Sequence, residues 1–317
     1  MWYEILLYVL LLALGFVLLS KGADVFVDGS ASVATKAGIP QLVIGLTIVA
    51  MGTSAPEAAV SISSAIAGSA EIAVGNVVGS NILNVLIILG LSATIVPLAV
   101  RKISLVLDIP MVLLATVVLF VLGLFGSINF IGGIILLLIF IGYMAILFIN
   151  AKKPKKPGEL EEEDAPIKVM PVWKSIIFIV LGLGMIVLGS DVTVDSATTL
   201  ARIFGVSERF IALTIVALGT SLPELFTSVN AAIKGNADIA VGNILGSCIF
   251  NILFILGLTS LIIPVPFESK FLIDTIVAFV AVLLILLFSL KSKKLARWAG
   301  IVMLVAYAGY FVYLLLV

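Results

Sequence analysis

The chain has 317 residues, of which 62% are hydrophobic and 11% charged, with 18 basic and 18 acidic residues and no histidine. Soluble domains hold roughly 45–50% apolar and about 25% charged residues, so this balance excludes a water-soluble globular protein and describes one dissolved in lipid. The missing histidine and the lone Cys248 exclude ordinary zinc chemistry and an internal disulfide, and basic residues scattered at helix ends offer nucleic acid no face.

Spans of about 20 residues suit a hydrocarbon core of about 30 Å. The first span covers 3–33; it opens with Glu4 rather than a basic region, so it reads as a span and not as a secretory leader. Asp24 and Asp28 share one face near its end, either as interfacial residues or as an acidic vestibule that gathers cations. The second span, 40–66, contains LTIVAMGTSAPE at 46–57. Pro56 has no amide to offer the Gly52 carbonyl and its ring opens that turn, so a break is expected near mid-membrane. The third span, 71–96, contains IAVGNVVGSNILN at 72–84, with Asn76, Ser80 and Asn84 on one helical face and a GxxxG spacing at Gly75 and Gly79. Spans at 104–125 and 128–149 follow. Residues 150–171 are charged and proline-containing, which describes a flexible connector. The acidic run Glu159 to Asp164 reads as part of that linker, because some twenty residues cannot build an ordered calcium-sensing loop.

The chain then repeats itself. Residues 213–224, LTIVALGTSLPE, match 46–57 at ten of twelve positions, and 239–251, IAVGNILGSCIFN, match 72–84 at nine of thirteen, both at an offset of 167. The same shift carries Asp24 and Asp28 onto Asp191 and Asp195. Cys248 falls on Asn81, so packing is expected of it rather than a symmetric ligand role. The later spans are 172–199, 208–233, 238–263, 270–290 and 295–316. The first and sixth exceed what a crossing needs and should tilt or overrun the interface. The fold class is therefore an all-α polytopic membrane protein of ten transmembrane helices, in two five-helix repeats, 1–149 and 172–317, joined by the 150–171 linker. An odd number of spans per repeat makes the second copy enter from the opposite side, so the repeats are inverted. Fourteen basic residues fall on loops of one side and only Arg202, Arg209 and Lys270 on the other, which puts both termini outside and the linker in the cytoplasm.

Polar residues inside the spans carry the chemistry. A mid-helix charge costs roughly 2.5–3.5 kcal/mol on insertion scales, and apart from Arg209 at the very start of the seventh span no basic residue lies in the second, third, seventh or eighth span to pair with Glu57 or Glu224. Each other, a proton or a cation remain as partners. Thr53 and Ser54 share a face with Glu57, and Thr220 and Ser221 repeat this with Glu224; broken helices add free carbonyls. Ser80, Asn84, Ser247 and Asn251 add further oxygen ligands in matched pairs, whereas Asn76, Asn243 and the glycines read chiefly as helix-packing residues. Oxygen-only donors with two carboxylates in a flexible cage suit Ca²⁺ or Na⁺ better than a soft metal or Mg²⁺.

The paired GTSxPE and GNxxGSxxxN motifs resemble those of the cation/calcium exchanger superfamily, and within it the prokaryotic sodium/calcium exchanger branch. The resemblance covers almost the whole chain. It implies a multi-pass protein of a prokaryotic cell membrane that swaps Ca²⁺ for Na⁺, or in some branches for H⁺, by alternating access, the long first and sixth helices sliding past the other eight. It further implies a ligand set of the Ala50 and Ala217 carbonyls with the side chains of Thr53, Ser54, Glu57, Ser80, Asn84, Thr220, Ser221, Glu224, Ser247 and Asn251. No cofactor is expected beyond the transported ions, and no partner beyond them and the bilayer. Exchangers of this type place an aspartate at one of the positions held here by Asn84 and Asn251, giving three acids where this chain has two. Two carboxylates balance one Ca²⁺ but leave three Na⁺ with a positive charge, and two acids can equally take two protons, so a Ca²⁺/H⁺ antiporter is the alternative. A cation channel would differ by downhill flux without a counter-ion. An intramembrane hydrolase lacks its motifs, because neither HExxH nor GxGD occurs.

Overall fold

The computed structural model describes residues 2–151, 169–205 and 217–316. In chain order the helices are α1 (Trp2–Ala37), α2 (Gln41–Thr53), α3 (Ala55–Ile66), α4 (Glu71–Ile95), α5 (Ser104–Gly123), α6 (Phe130–Ala151), α7 (Val172–Ile203), α8 (Leu222–Ile233), α9 (Ala237–Ile262), α10 (Ser269–Ser289) and α11 (Arg297–Leu316). Among the described residues, eight helices are each long and apolar enough to cross a membrane, and α2 with α3, bent by 46°, would make a ninth. The expected 208–233 span is seen only from a helical turn at Ala217–Gly219 onward. Its start with Arg209, and the linker from 152 to 168 with its acidic run, lie outside the described residues.

The expected limits agree with the observed helices to about one turn. α1 has 36 residues and α7 has 32, so at 1.5 Å per residue they run about 54 and 48 Å, well beyond the hydrocarbon core. They pack against each other along most of their length. Small residues at a seven-residue spacing permit this: Gly15, Gly22 and Gly29 on α1, with Ser175, Gly182, Gly189 and Ser196 on α7. A methyl group on Gly22 would lie 2.9 Å from the Gly182 carbonyl oxygen, and one on Gly182 would lie 2.6 Å from the Phe26 amide nitrogen. The two backbones touch, and dispersion along that seam substitutes for the hydrophobic effect that lipid does not supply.

α4 and α9 form the buried centre, while residues such as Val106, Leu138 and Val305 stand exposed on the outside. Polar inside and apolar outside is the distribution a lipid solvent selects. The expectation of a purely helical chain needs one amendment. Short strands β1 (Leu98–Ala99) and β4 (Lys294–Leu295) pair antiparallel, as do β2 (Ser127–Ile128) and β3 (Val265–Pro266). Backbone groups released at helix ends find partners there. The offset of 167 carries β1 onto β3 and β2 onto β4, so each clip ties one copy of the repeat to the other. Two flanking bonds, Val100 N to Lys293 O at 2.8 Å and Phe267 N to Gly126 O at 2.9 Å, interchange under the same shift.

Candidate cation site

Both GTSxPE motifs break the helix at the serine. Ser54 closes α2 with φ −83° and ψ 8°, Ser221 stands in the same conformation with φ −90° and ψ 4°, and α3 and α8 restart with proline in their first turn. This is the expected consequence of a proline that cannot bond backward. Glu57 and Glu224 therefore lie in the first turns of α3 and α8, where a helix N-terminus favours negative charge, and both side chains are fully buried.

The hydroxyls serve the opposite copy. Ser54 Oγ donates to Glu224 Oε1 at 2.8 Å, and Ser221 Oγ donates to Glu57 Oε1 at 3.3 Å. Sequence spacing put Thr53 and Ser54 on Glu57's own face; the turn at the break directs Ser54 to Glu224 of the other copy instead. Thr220 also lies near Glu57, and the two carboxylates are near enough to interact. Neither takes part in any of the ion pairs formed among the described residues.

α8 packs on the Asn84–Leu89 stretch of α4, and α3 packs on the Phe250–Leu256 stretch of α9; both stretches are π-helical. Widened turns of this kind recur at functional sites. The asparagines open or join these segments and are fully buried. Glu57 Oε2, Glu224 Oε2, Asn251 Oδ1 and both amide atoms of Asn84 have no hydrogen-bond partner. Leaving such groups dry and unpaired is costly, so a donor set of this composition fits a hard cation. Ser247 Oγ lies 3.5 Å from both Glu224 Oε1 and the Ala50 carbonyl, and that carbonyl also receives the Ser54 amide at 3.0 Å. Ser80 is buried on α4, one turn before Asn84, and Ala217 opens the turn before the second break.

Asn76 and Asn243 act as braces, as their spacing suggested. Asn76 Nδ2 bonds Ser61 Oγ at 2.9 Å and Asn243 Nδ2 bonds Ser228 Oγ at 2.8 Å, one link the image of the other. Thr53 Oγ1 donates to Asn243 Oδ1 at 3.1 Å. Gly242 and Gly246 let α9 reach α2: added methyl groups would lie 2.9 Å from the Leu42 oxygen and 2.7 Å from the Leu46 oxygen.

The aspartate pairs differ between the copies. Lys234 Nζ lies 3.0 Å from an Asp24 carboxylate oxygen and 2.7 Å from Asp28, tying α1 to the end of α8. Asp191 and Asp195 have no such tie among the described residues, because Ala67 occupies the matching position. These groups are partly exposed, so Lys234→Gln should cost less than about 1 kcal/mol, and the cost should shrink as salt screens the pairs. Melting curves at low and high salt check this; an unchanged difference would exclude the ion pairs as its cause. Sequence spacing alone pointed to neither Lys234 nor the seven-residue glycine seam, although the seam's period is visible once sought.

The sodium/calcium exchanger protein family model matches residues 7–149 and 174–316. The sodium/calcium exchanger MaX1 of Methanosarcina acetivorans is 33% identical, covering 96% of this chain and 97% of its own. The inner membrane protein YrbG of Escherichia coli is 38% identical over 82% of this chain and 81% of its own. Among solved structures, the sodium-calcium exchanger NCX_Mj soaked with zero Na⁺ and Ca²⁺ superposes with a TM-score of 0.85 at 33% identity, covering 98% of this chain and 99% of its own. With nearly the whole length matched in sequence and in fold, the chain belongs to the sodium/calcium exchanger protein family.

Proposed function

We propose that this protein is a secondary antiporter that exchanges Ca²⁺ for Na⁺ by alternating access, with the cation bound mid-membrane between Glu57 and Glu224. The observation that carries the reading is the pair of fully buried carboxylates, each with one oxygen bonded to the other copy's serine and one oxygen without a partner. Thr53, Ser54, Ser80, Asn84, Thr220, Ser221, Ser247 and Asn251 complete the shells with the Ala50 and Ala217 carbonyls. Hard oxygens in a flexible arrangement hold Ca²⁺ and release it in favour of monovalent ions when their concentration is high.

The architecture proposed is ten spans in two inverted repeats, 1–149 and 172–317. The two strand clips, exchanged by the repeat offset, support it. The excess of basic residues on one side supports termini outside and a cytoplasmic 150–171 linker in a prokaryotic cell membrane. Ca²⁺/H⁺ exchange is the second reading. It is favoured by asparagine at both 84 and 251, which leaves two acids able to carry two protons for one Ca²⁺.

⁴⁵Ca²⁺ uptake into proteoliposomes separates the two. Vesicles loaded with Na⁺ at constant pH are expected to accumulate Ca²⁺, and vesicles holding only a proton gradient are not. The reverse result would make the glutamates proton carriers, and uptake that needs neither gradient would make the protein a channel.

A further inference from the structure

Among the polar residues of the two repeated motif blocks, the symmetry fails at one position. Asn81 in the first copy corresponds to Cys248 in the second, and both are buried. Asn81 Nδ2 donates to the Cys248 backbone carbonyl at 3.2 Å, and Asn251 Nδ2 donates to Asn81 Oδ1 at 3.1 Å. The direction of this relay is forced. A backbone carbonyl only accepts, so Asn81 must turn its NH₂ toward Cys248 and its oxygen toward Asn251. Asn251 must then present its own NH₂ to Asn81, which leaves Asn251 Oδ1 without a partner.

Asn84 has no such guide. The residue matching Asn81 on its side is Cys248, whose thiol is a weak donor and a weak acceptor, and both atoms of the Asn84 amide are unpartnered. A free amide can offer a cation either its oxygen or its repelling NH₂. A carboxylate at position 251 would need no guide, since both of its atoms are oxygens.

We infer that Asn81 is a positioning residue, which fixes Asn251 as an oxygen ligand and makes the two amide ligands of the site unequal. The inference rests on the ligand set proposed above. Asn251 is oriented before the ion arrives and loses nothing on reorientation, whereas Asn84 must be ordered by the ion itself.

The test is a double-mutant cycle read as the Ca²⁺ concentration for half-maximal ⁴⁵Ca²⁺ exchange in proteoliposomes. Asn81→Leu keeps the volume and removes the relay, and is expected to raise that concentration about three- to tenfold, the worth of one hydrogen bond. In the Asn251→Ala background the same substitution is expected to change it by less than about twofold, because the group it orients is gone. Cys248→Asn supplies Asn84 with the missing partner and is expected to lower the concentration. If Asn81→Leu does not fold, Asn81→Ser stands in for it in both backgrounds. Equal fold-changes in both backgrounds would overturn the inference and leave the antiporter reading intact. An unchanged Ca²⁺ curve for Asn251→Ala would remove Asn251 from the ligand set and overturn the inference with it.

Discussion

Glu57→Gln and Glu224→Gln are each expected to reduce counter-ion-driven Ca²⁺ uptake by at least about 100-fold. Glutamine keeps the shape of the side chain and an oxygen for the bond from Ser221 or Ser54, but removes one of the two negative charges. At about 4 Å and an effective dielectric of about 20, one pair of unit charges is worth about 4 kcal/mol, and the ion is divalent. A net loss of only about 2.8 kcal/mol already gives 100-fold. The substitutions should not unfold the protein. Without ion, a neutral amide in place of one of two repelling buried carboxylates is expected to leave the melting temperature in chelator unchanged or higher. Uptake near the original level in either variant would remove that glutamate from the site, and melting well below the original would point to a structural role.

The second large effect is expected from Gly246→Val. A Cβ at Gly246 would lie 2.7 Å from both the Leu46 oxygen and the Ala50 methyl group, atoms of α2 that have no flexible end to move aside. Overpacking of this kind costs about 1–3 kcal/mol. It also pushes α9 from α2 next to Ser247 and one helical turn from Asn251, and a displacement of about 1 Å suffices to leave a ligand out of reach. Lower melting and loss of Ca²⁺ exchange are therefore expected together. Gly184→Val is the control, since no atom lies within 4 Å of the position where its Cβ would stand. If both variants melt and transport alike, close approach of α9 to α2 is not what holds the site.

Much of the architecture was legible because its causes are local. A chain with 62% hydrophobic residues declares its solvent, and span limits follow from where apolar runs stop. The breaks at Ser54 and Ser221 follow from a proline two residues on, whose missing amide acts on its own helix wherever that helix packs. The two glutamates stood out for the same kind of reason: the cost of burying a charge without a basic residue on the neighbouring spans can be read from composition and position. The strand clips were not legible, because two residues of extended chain carry no periodic signal. Their pairing depends on which loops the repeat symmetry brings together.

The sequence by itself determined that this is a membrane protein made of two copies of one unit, that each copy breaks its second helix beside a glutamate, and that the side chains around the break offer hard oxygens. Those properties are set by residue type and by spacing within a single helix. Only the tertiary structure decided that Ser54 bonds Glu224 rather than Glu57, that Asn251 bonds Asn81, that Lys234 holds Asp24 and Asp28, and that glycines of α1 and α7 meet backbone to backbone. Each of these is a contact between helices far apart in the chain, formed by a hydrogen bond or close approach with a reach of about 3 Å. Repetition in the sequence says that two copies match, but the packing of one copy against the other decides which atoms come within that reach.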